Sequence, residues 1–466
     1  MSDQPDASHR IEKDSLGEVR VPTDALYGAQ TQRAHDNFPI SGHRFGRRFI
    51  QALGFVKAAA VRSNNALGIL DDAKTDAIAA AARRVAAGEL DAQFVLDIYQ
   101  TGSGTSSNMN ANEVIARVAS EAMGASVHPN DDVNMSQSSN DVIPTAMHVS
   151  ARVAIEEALL PALTRFEQAL TTKATEFDDV VKSGRTHLMD ATPVRLGQEF
   201  GGYASQIKHA KRRLSMASDE LAELALGGTA TGTGINAPDG FAPGAIDALS
   251  KMTGLTFREA DNHFEAQAAK DAFVFTSGVL NSLSVALMKI ANDIRHLSSG
   301  PTSGLSEISL PAIQPGSSIM PGKVNPVMSE AMMMVCARVM GNHTTITVGG
   351  QHGNFELNVM MPVMAQAMLE SVEILTGALD AFRTRCLDGI TANRDRCQEL
   401  LERNPSIATA LNRTIGYDAA SRVAKQAAKE RKSVREVVLE LGLVPASELD
   451  GLLNVREMTE PGIPQA

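Results

Sequence analysis

Apolar positions recur at helical spacing through four long stretches of this chain, 142–175, 196–226, 264–297 and 357–382, and each is expected to form a helix with one buried face. In the third stretch, Phe264, Ala268, Phe275, Val279, Leu283, Leu287 and Ile290 follow one another at steps of three, four or seven, which predicts a continuous buried stripe. Helices of about 30 residues reach about 45 Å, more length than one small core needs. Such a set predicts a bundle along which copies of the chain associate.

Shorter helical patterns flank this centre. Segments 49–67, 72–87 and 111–123 precede it, 327–339 lies within it, and 419–429 and 433–441 follow it. Punctuation at Asn404-Pro405 and across 442–445 divides the end of the chain. The expected organisation is a mixed, mainly helical region 1–141, a long-helix region 142–392 and a small helical region 393–466.

Composition agrees with helices. The 466 residues are 43% hydrophobic but only 4% aromatic, with no Trp and four Tyr, whereas sheets favour aromatic and β-branched side chains. An all-α fold is expected. A formal charge of −11 gives no broad electrostatic reason to bind nucleic acid or an anionic membrane. No apolar stretch approaches the roughly 18 residues needed to cross a bilayer, and the polar segments 1–14 and 461–466 read as short disordered ends. Cys336, Cys386 and Cys397, odd in number and widely spaced, suggest neither a disulfide framework nor a zinc site, and fit a reducing cytoplasm.

Four polar loops interrupt the helical pattern. The most informative is Pro315-Gly316-Ser317-Ser318-Ile319-Met320-Pro321-Gly322-Lys323-Val324-Asn325-Pro326. Glycines permit unusual backbone, two hydroxyls lie where the loop can meet a ligand, and Lys323 and Asn325 sit just before a helix whose N-terminus favours a carboxylate. A nucleotide loop is excluded: five residues separate Gly316 from Gly322, and Val324 stands where a magnesium-binding hydroxyl is required.

The run Thr101-Gly102-Ser103-Gly104-Thr105-Ser106-Ser107-Asn108 offers hydroxyls and backbone donors suited to a small anion, and equally to a plain N-cap. The segment from His128 to Asp141 ends in Ser138, Ser139 and Asn140, three successive donors where capping needs one. In Gly184-Arg185-Thr186-His187, the His is the side chain that exchanges protons near neutral pH, and Glu330 is a candidate partner for it; a structural His is the alternative. The glycine-rich segment 227–236 follows a helix, not a strand, and reads as a chain reversal with a contact available from Thr229 or Asn236.

Together these motifs resemble the class II fumarases of the fumarase/aspartase superfamily, over about Ile11 to Val455. Gly316 to Pro326 is similar to the superfamily signature, and the loops at 101–108, 128–141 and 184–193 match other family motifs. His187, where aspartases typically carry Gln, and Gly353-Asn354-Phe355-Glu356-Leu357-Asn358 resemble fumarases in particular. Segment 433–440 also resembles aspartases. Tyr27 and Tyr99 depart from a common Trp, and the connection 123–128 is short.

The resemblance implies an all-α fold of three domains around a tetrameric core of about 20 helices. It implies reversible hydration of fumarate to L-malate, without metal or organic cofactor, at sites combining loops of three subunits. The roles implied are Ser317 as carbon base with His187 and Glu330 in proton transfer, and Ser103, Thr105, Ser138, Ser139, Asn140, Thr186, Lys323 and Asn325 as substrate ligands. His128, Asn130 and Asp131 would form a secondary anion site, put in doubt by the short connection. An aspartate ammonia-lyase and a catalytically silent homologue are the alternatives.

Overall fold

The computed structural model describes residues 8–463. It is an all-α fold with five small two-stranded sheets. In chain order the main elements are β1 (His9–Asp14), β2 (Gly17–Pro22), α1 (Ala29–Asn37), α2 (Arg47–Ala66), α3 (Asp72–Ala87), α4 (Thr105–Met123), α5 (Ser139–Ala154) and α6 (Leu160–Glu176). There follow β3 (Val181–Thr186), β4 (Met189–Arg195), α7 (Leu196–Glu220), α8 (Phe241–Thr253), α9 (His263–Ala268), α10 (Asp271–Leu297), α11 (Val327–Gly350) and α12 (Met361–Arg385), then five shorter helices.

Contacts divide the chain into two compact units. The first comprises Met1–Pro161, Lys211–Ser284 and Val335–Thr376; the second comprises Ala162–Ala210, Val285–Met334 and Gly377–Ala466. In the first, α2 packs on α3, α5 and α8, and its Phe49, Leu53, Val56 and Val61 are essentially inaccessible to solvent. Asp71 caps α3 by accepting from the Lys74 N–H, and Gly88 closes it in the left-handed region. In the second unit, Leu401, Leu411, Val423, Val437, Val438 and Leu449 of the C-terminal helices form a separate buried cluster.

Several expectations need correction. Residues 9–14 are not a disordered leader, because they pair with β2; residues 1–7 and 464–466 lie outside the described residues. The expected helix 264–297 is two helices. Between them Ala269 is extended, and the buried ammonium of Lys270 donates to the carbonyls of Ala266, Gln267 and Ala269, groups that the end of α9 leaves open. On α10, Val279, Leu283, Leu287 and Ile290 are buried as expected, but Phe264 on α9 and Phe275 on α10 stand about half exposed.

The expected helix 142–175 contains a wider turn over Ile155–Leu159, and the helix expected from 357 starts at Met361, after a small hairpin. One helix, α10, does have the length and hydropathy of a membrane span, with mean hydropathy 1.5, contrary to expectation; 56% of that apolar window is buried inside the protein.

Candidate active site

The Ser317 loop is held by its own backbone. Gly316 donates its N–H to the Lys323 carbonyl at 2.7 Å, and Asn325 Nδ2 returns a bond to the Gly316 carbonyl at 2.6 Å, so the two ends of the loop are tied. The closure needs glycine at 316, because an added Cβ would meet the Lys323 oxygen at 2.5 Å and the Asn325 nitrogen at 2.9 Å. Within it, the Ser317 hydroxyl oxygen accepts from the N–H groups of Ile319 and Met320, at 3.2 and 3.0 Å. Two donors on one oxygen favour its ionised form. Lys323 is exposed just ahead of α11, whose first turn carries Glu330.

His187 occupies a tighter structure than its sequence suggests. Strands β3 and β4 form a hairpin whose two-residue turn is His187-Leu188, with φ of 55° and 60°. A turn of this kind wants Asn or Gly, and a Leu held there is strained backbone presenting an exposed His beside an exposed Thr186. The base of the hairpin is rigid. Arg185 makes a two-pronged ion pair with Glu307 at 2.8 and 2.9 Å, and buried Lys182 reaches Glu199 at 2.8 Å and Glu307 at 3.2 Å. Burial alone would lower the Arg185 pKa, but its bond to Glu307 raises it overall; burial raises that of Glu199 against the pull of Lys182. Among the described residues no hydrogen bond or ion pair joins His187 to Glu330 within the chain.

In the first unit the structure brings the remaining ligand candidates together. Ser103 and Thr105 share a hydroxyl bond at 2.8 Å, and α4 begins at Thr105 with left-handed Gly104 as its cap. Gly102 lies so close to the Val359 carbonyl that a Cβ would stand 1.8 Å from its oxygen. Ser138 caps α5 in a reciprocal box with Asp141, and Asn140 Nδ2 donates to the Ala230 carbonyl. Asp141, fully buried, also accepts from the N–H groups of Gly227 and Thr229, which ties the glycine-rich reversal to this loop. Burial pushes the Asp141 pKa up, against those bonds.

The same loop carries the secondary candidates. His128 is half exposed and accepts from the Asp131 N–H at 3.1 Å, while Asp131 is largely exposed. His128 and Asn130 line a cavity of about 920 Å³ that also contains Glu12, Asp14, Glu113 and Glu121 against Lys13 and Arg117. That balance of charge does not favour an anion.

Sequence reading missed the groups beneath these loops: buried Lys57 and half-buried Asn134 in the first unit, and buried Lys182 and Glu307 in the second. The one available signal was Lys57 itself, a lone charge inside the apolar run Phe49 to Val61.

A family model described as a lyase matches residues 17–341, and one described as the fumarase C C-terminus matches residues 407–460. Class II fumarate hydratase from Mycobacterium tuberculosis is 54% identical over 463 residues, 98% of this chain and 98% of that one. The counterpart from Xylella fastidiosa is 53% identical over 455 residues, 98% and 96% of the two chains. The crystal structure of a class II fumarase from Schistosoma mansoni superposes with a TM-score of 0.95 at 39% identity, covering 97% of this chain and 99% of that one. With its signature loop closed around Ser317, and relatives more than half identical along nearly its whole length, this chain belongs to the class II fumarate hydratases.

Proposed function

We infer that this enzyme reversibly hydrates fumarate to L-malate, through side chains alone, in an oligomer whose sites draw loops from three subunits. The observation that carries the reading is the pair of backbone N–H groups on Ser317 Oγ, in a loop that also supplies a cation and an amide.

In malate dehydration, Ser317 as an alkoxide takes the proton from the carbon beside one carboxylate. The electron pair left behind moves into that carboxylate, which becomes a doubly charged aci-carboxylate held by Lys323 and Asn325. These contacts strengthen as charge develops, which is selective stabilisation of the transition state. Collapse of that species forms the carbon-carbon double bond and expels the hydroxyl, which leaves as water with a proton delivered from His187. Thr186 holds the leaving group, and Glu330 of a neighbouring subunit charges His187. Ser103, Thr105, Ser138, Ser139 and Asn140 bind the other carboxylate and fix its orientation.

Support for the oligomer comes from apolar side chains left exposed on the long helices: Met216 on α7, Phe275 and Val285 on α10, Met334 and Val348 on α11. A homotetramer with a shared bundle core and three domains, 1–141, 142–392 and 393–466, is the proposed assembly. Three free, buried cysteines, their thiols pushed up to about 12 by burial, fit residence in the cytoplasm.

The test is the ultraviolet absorbance of the fumarate double bond, followed with purified protein in chelator-treated buffer. Absorbance rises with L-malate and stays flat with L-aspartate; a rise with aspartate alone moves the assignment to an ammonia-lyase, and silence with both overturns catalysis.

A further inference from the structure

We propose that Lys57 is a positioning residue for the enzyme, holding the two polar loops of the first unit, 101–108 and 134–140, in one binding geometry. The inference rests on the reading that these loops grip a substrate carboxylate.

Lys57 lies midway along α2 and exposes none of its surface. Its ammonium donates to Asn134 Oδ1 at 2.9 Å and to Gln137 Oε1 at 3.0 Å, with no carboxylate among its hydrogen-bond partners. Burial draws its pKa down to about 7, opposed by the charge of Asp141. Burying an amine without a contacting anion is costly, and an apolar side chain of this length would pack on α2 without that cost. Stability of the helix therefore does not account for the choice of lysine.

The two amides it contacts do account for it. Each amide can sit either way round, and a donor placed against the oxygen selects one way. With Asn134 Oδ1 turned toward Lys57, its Nδ2 faces the Gln137 carbonyl at 3.1 Å. With Gln137 Oε1 turned the same way, its Nε2 spans the carbonyls of Val133 and Met135, at 3.1 and 3.0 Å. The curve of the loop leading into Ser138 and Ser139 is thus set from beneath by one ammonium.

Asn134 Oδ1 is also the junction to the other loop. It accepts from Asn108 Nδ2 at 3.2 Å and Asn112 Nδ2 at 3.1 Å, both on α4 downstream of Thr105. Asn108 Nδ2 lies 3.1 Å from Ser139 Oγ as well, so the start of α4 and the start of α5 meet over the lysine. Lys57, Asn108, Asn112 and Ser139 are buried, Asn134 and Gln137 half-buried, and together they form one network, in which loss of a member is felt by the rest. Lys57 reaches no solvent and takes no part in proton transfer.

The test is steady-state kinetics with L-malate on full-length Lys57→Met, Gln137→Met and Ser139→Ala, each with its thermal midpoint measured. Lys57→Met keeps volume and removes the donor. It is expected to raise KM about tenfold while kcat changes by less than about threefold, the signature of lost ligand positioning. Gln137→Met removes one acceptor and moves KM the same way. A folded Lys57→Met whose KM stays within about twofold of the parent, whatever its thermal midpoint, overturns the proposal. If that variant does not fold, Gln137→Met decides by the same criterion. A KM raised by Ser139→Ala but by neither of the others sinks the role of Lys57 alone; no rise in any of the three also removes the loop from substrate binding.

Discussion

A serine hydroxyl is a poor base, and what distinguishes Ser317 is where its oxygen sits. Two N–H groups converge on it, and the cation that follows it in the loop is free to face a ligand. Electrostatic preorganisation of this kind is worth several kcal/mol at a developing charge. Ser317→Ala is therefore expected to lower kcat for malate by about 10³-fold with the thermal midpoint unchanged, since the hydroxyl supports only a local turn. Activity near the parent value would return Ser317 to the role of a turn residue. The sequence showed this Ser as one of two in a glycine-rich loop; which of the pair carries the converging donors was visible only in three dimensions.

At the scale of elements, the proposed chemistry hangs on two short devices that hold exposed groups. One is the loop 315–326, closed by mutual bonds between Gly316, Lys323 and Asn325; the other is the hairpin of β3 and β4, anchored by Arg185, Lys182 and Glu307. A methyl group at 316 must displace backbone of Lys323 or Asn325. Gly316→Ala is expected to cut kcat/KM for malate by about 100-fold while the chain stays folded, because a shift near 1 Å in a catalytic loop is expensive even where little is buried. Parent-like kinetics would show that the closed loop is not the working geometry. Helices with strong periodicity, such as α2 and α3, were legible within two residues of their ends. The break between α9 and α10 was not, because a lysine capping a helix by folding back into the interior leaves no mark in the periodicity.

For the whole molecule, the exposed Phe275, Val285 and Met334 ask for partners, and among the described residues no hydrogen bond or ion pair joins His187 to Glu330 within one chain. Mixing tests whether the site is shared. Chains carrying Ser317→Ala and chains carrying His187→Asn are each expected to be nearly silent, yet the proposed tetramers, reassembled from equal amounts, should recover about one quarter of parent activity if the two residues come from different subunits. Recovery indistinguishable from zero, with mixed tetramers confirmed by mass, would place both residues of a working site on the same chain.

What the sequence determined by itself is the helical class, the polar loops and the membership of His187, Ser317, Lys323 and Asn325 in one family pattern. Those properties are local: periodicity, glycine placement and residue type are written along the chain. Tertiary structure decided the rest. The donors on Ser317, the ion pairs beneath His187 and the ammonium of Lys57 under the first-unit loops join groups from two to more than a hundred residues apart, and a hydrogen bond depends on distance and direction in space, which linear order does not encode.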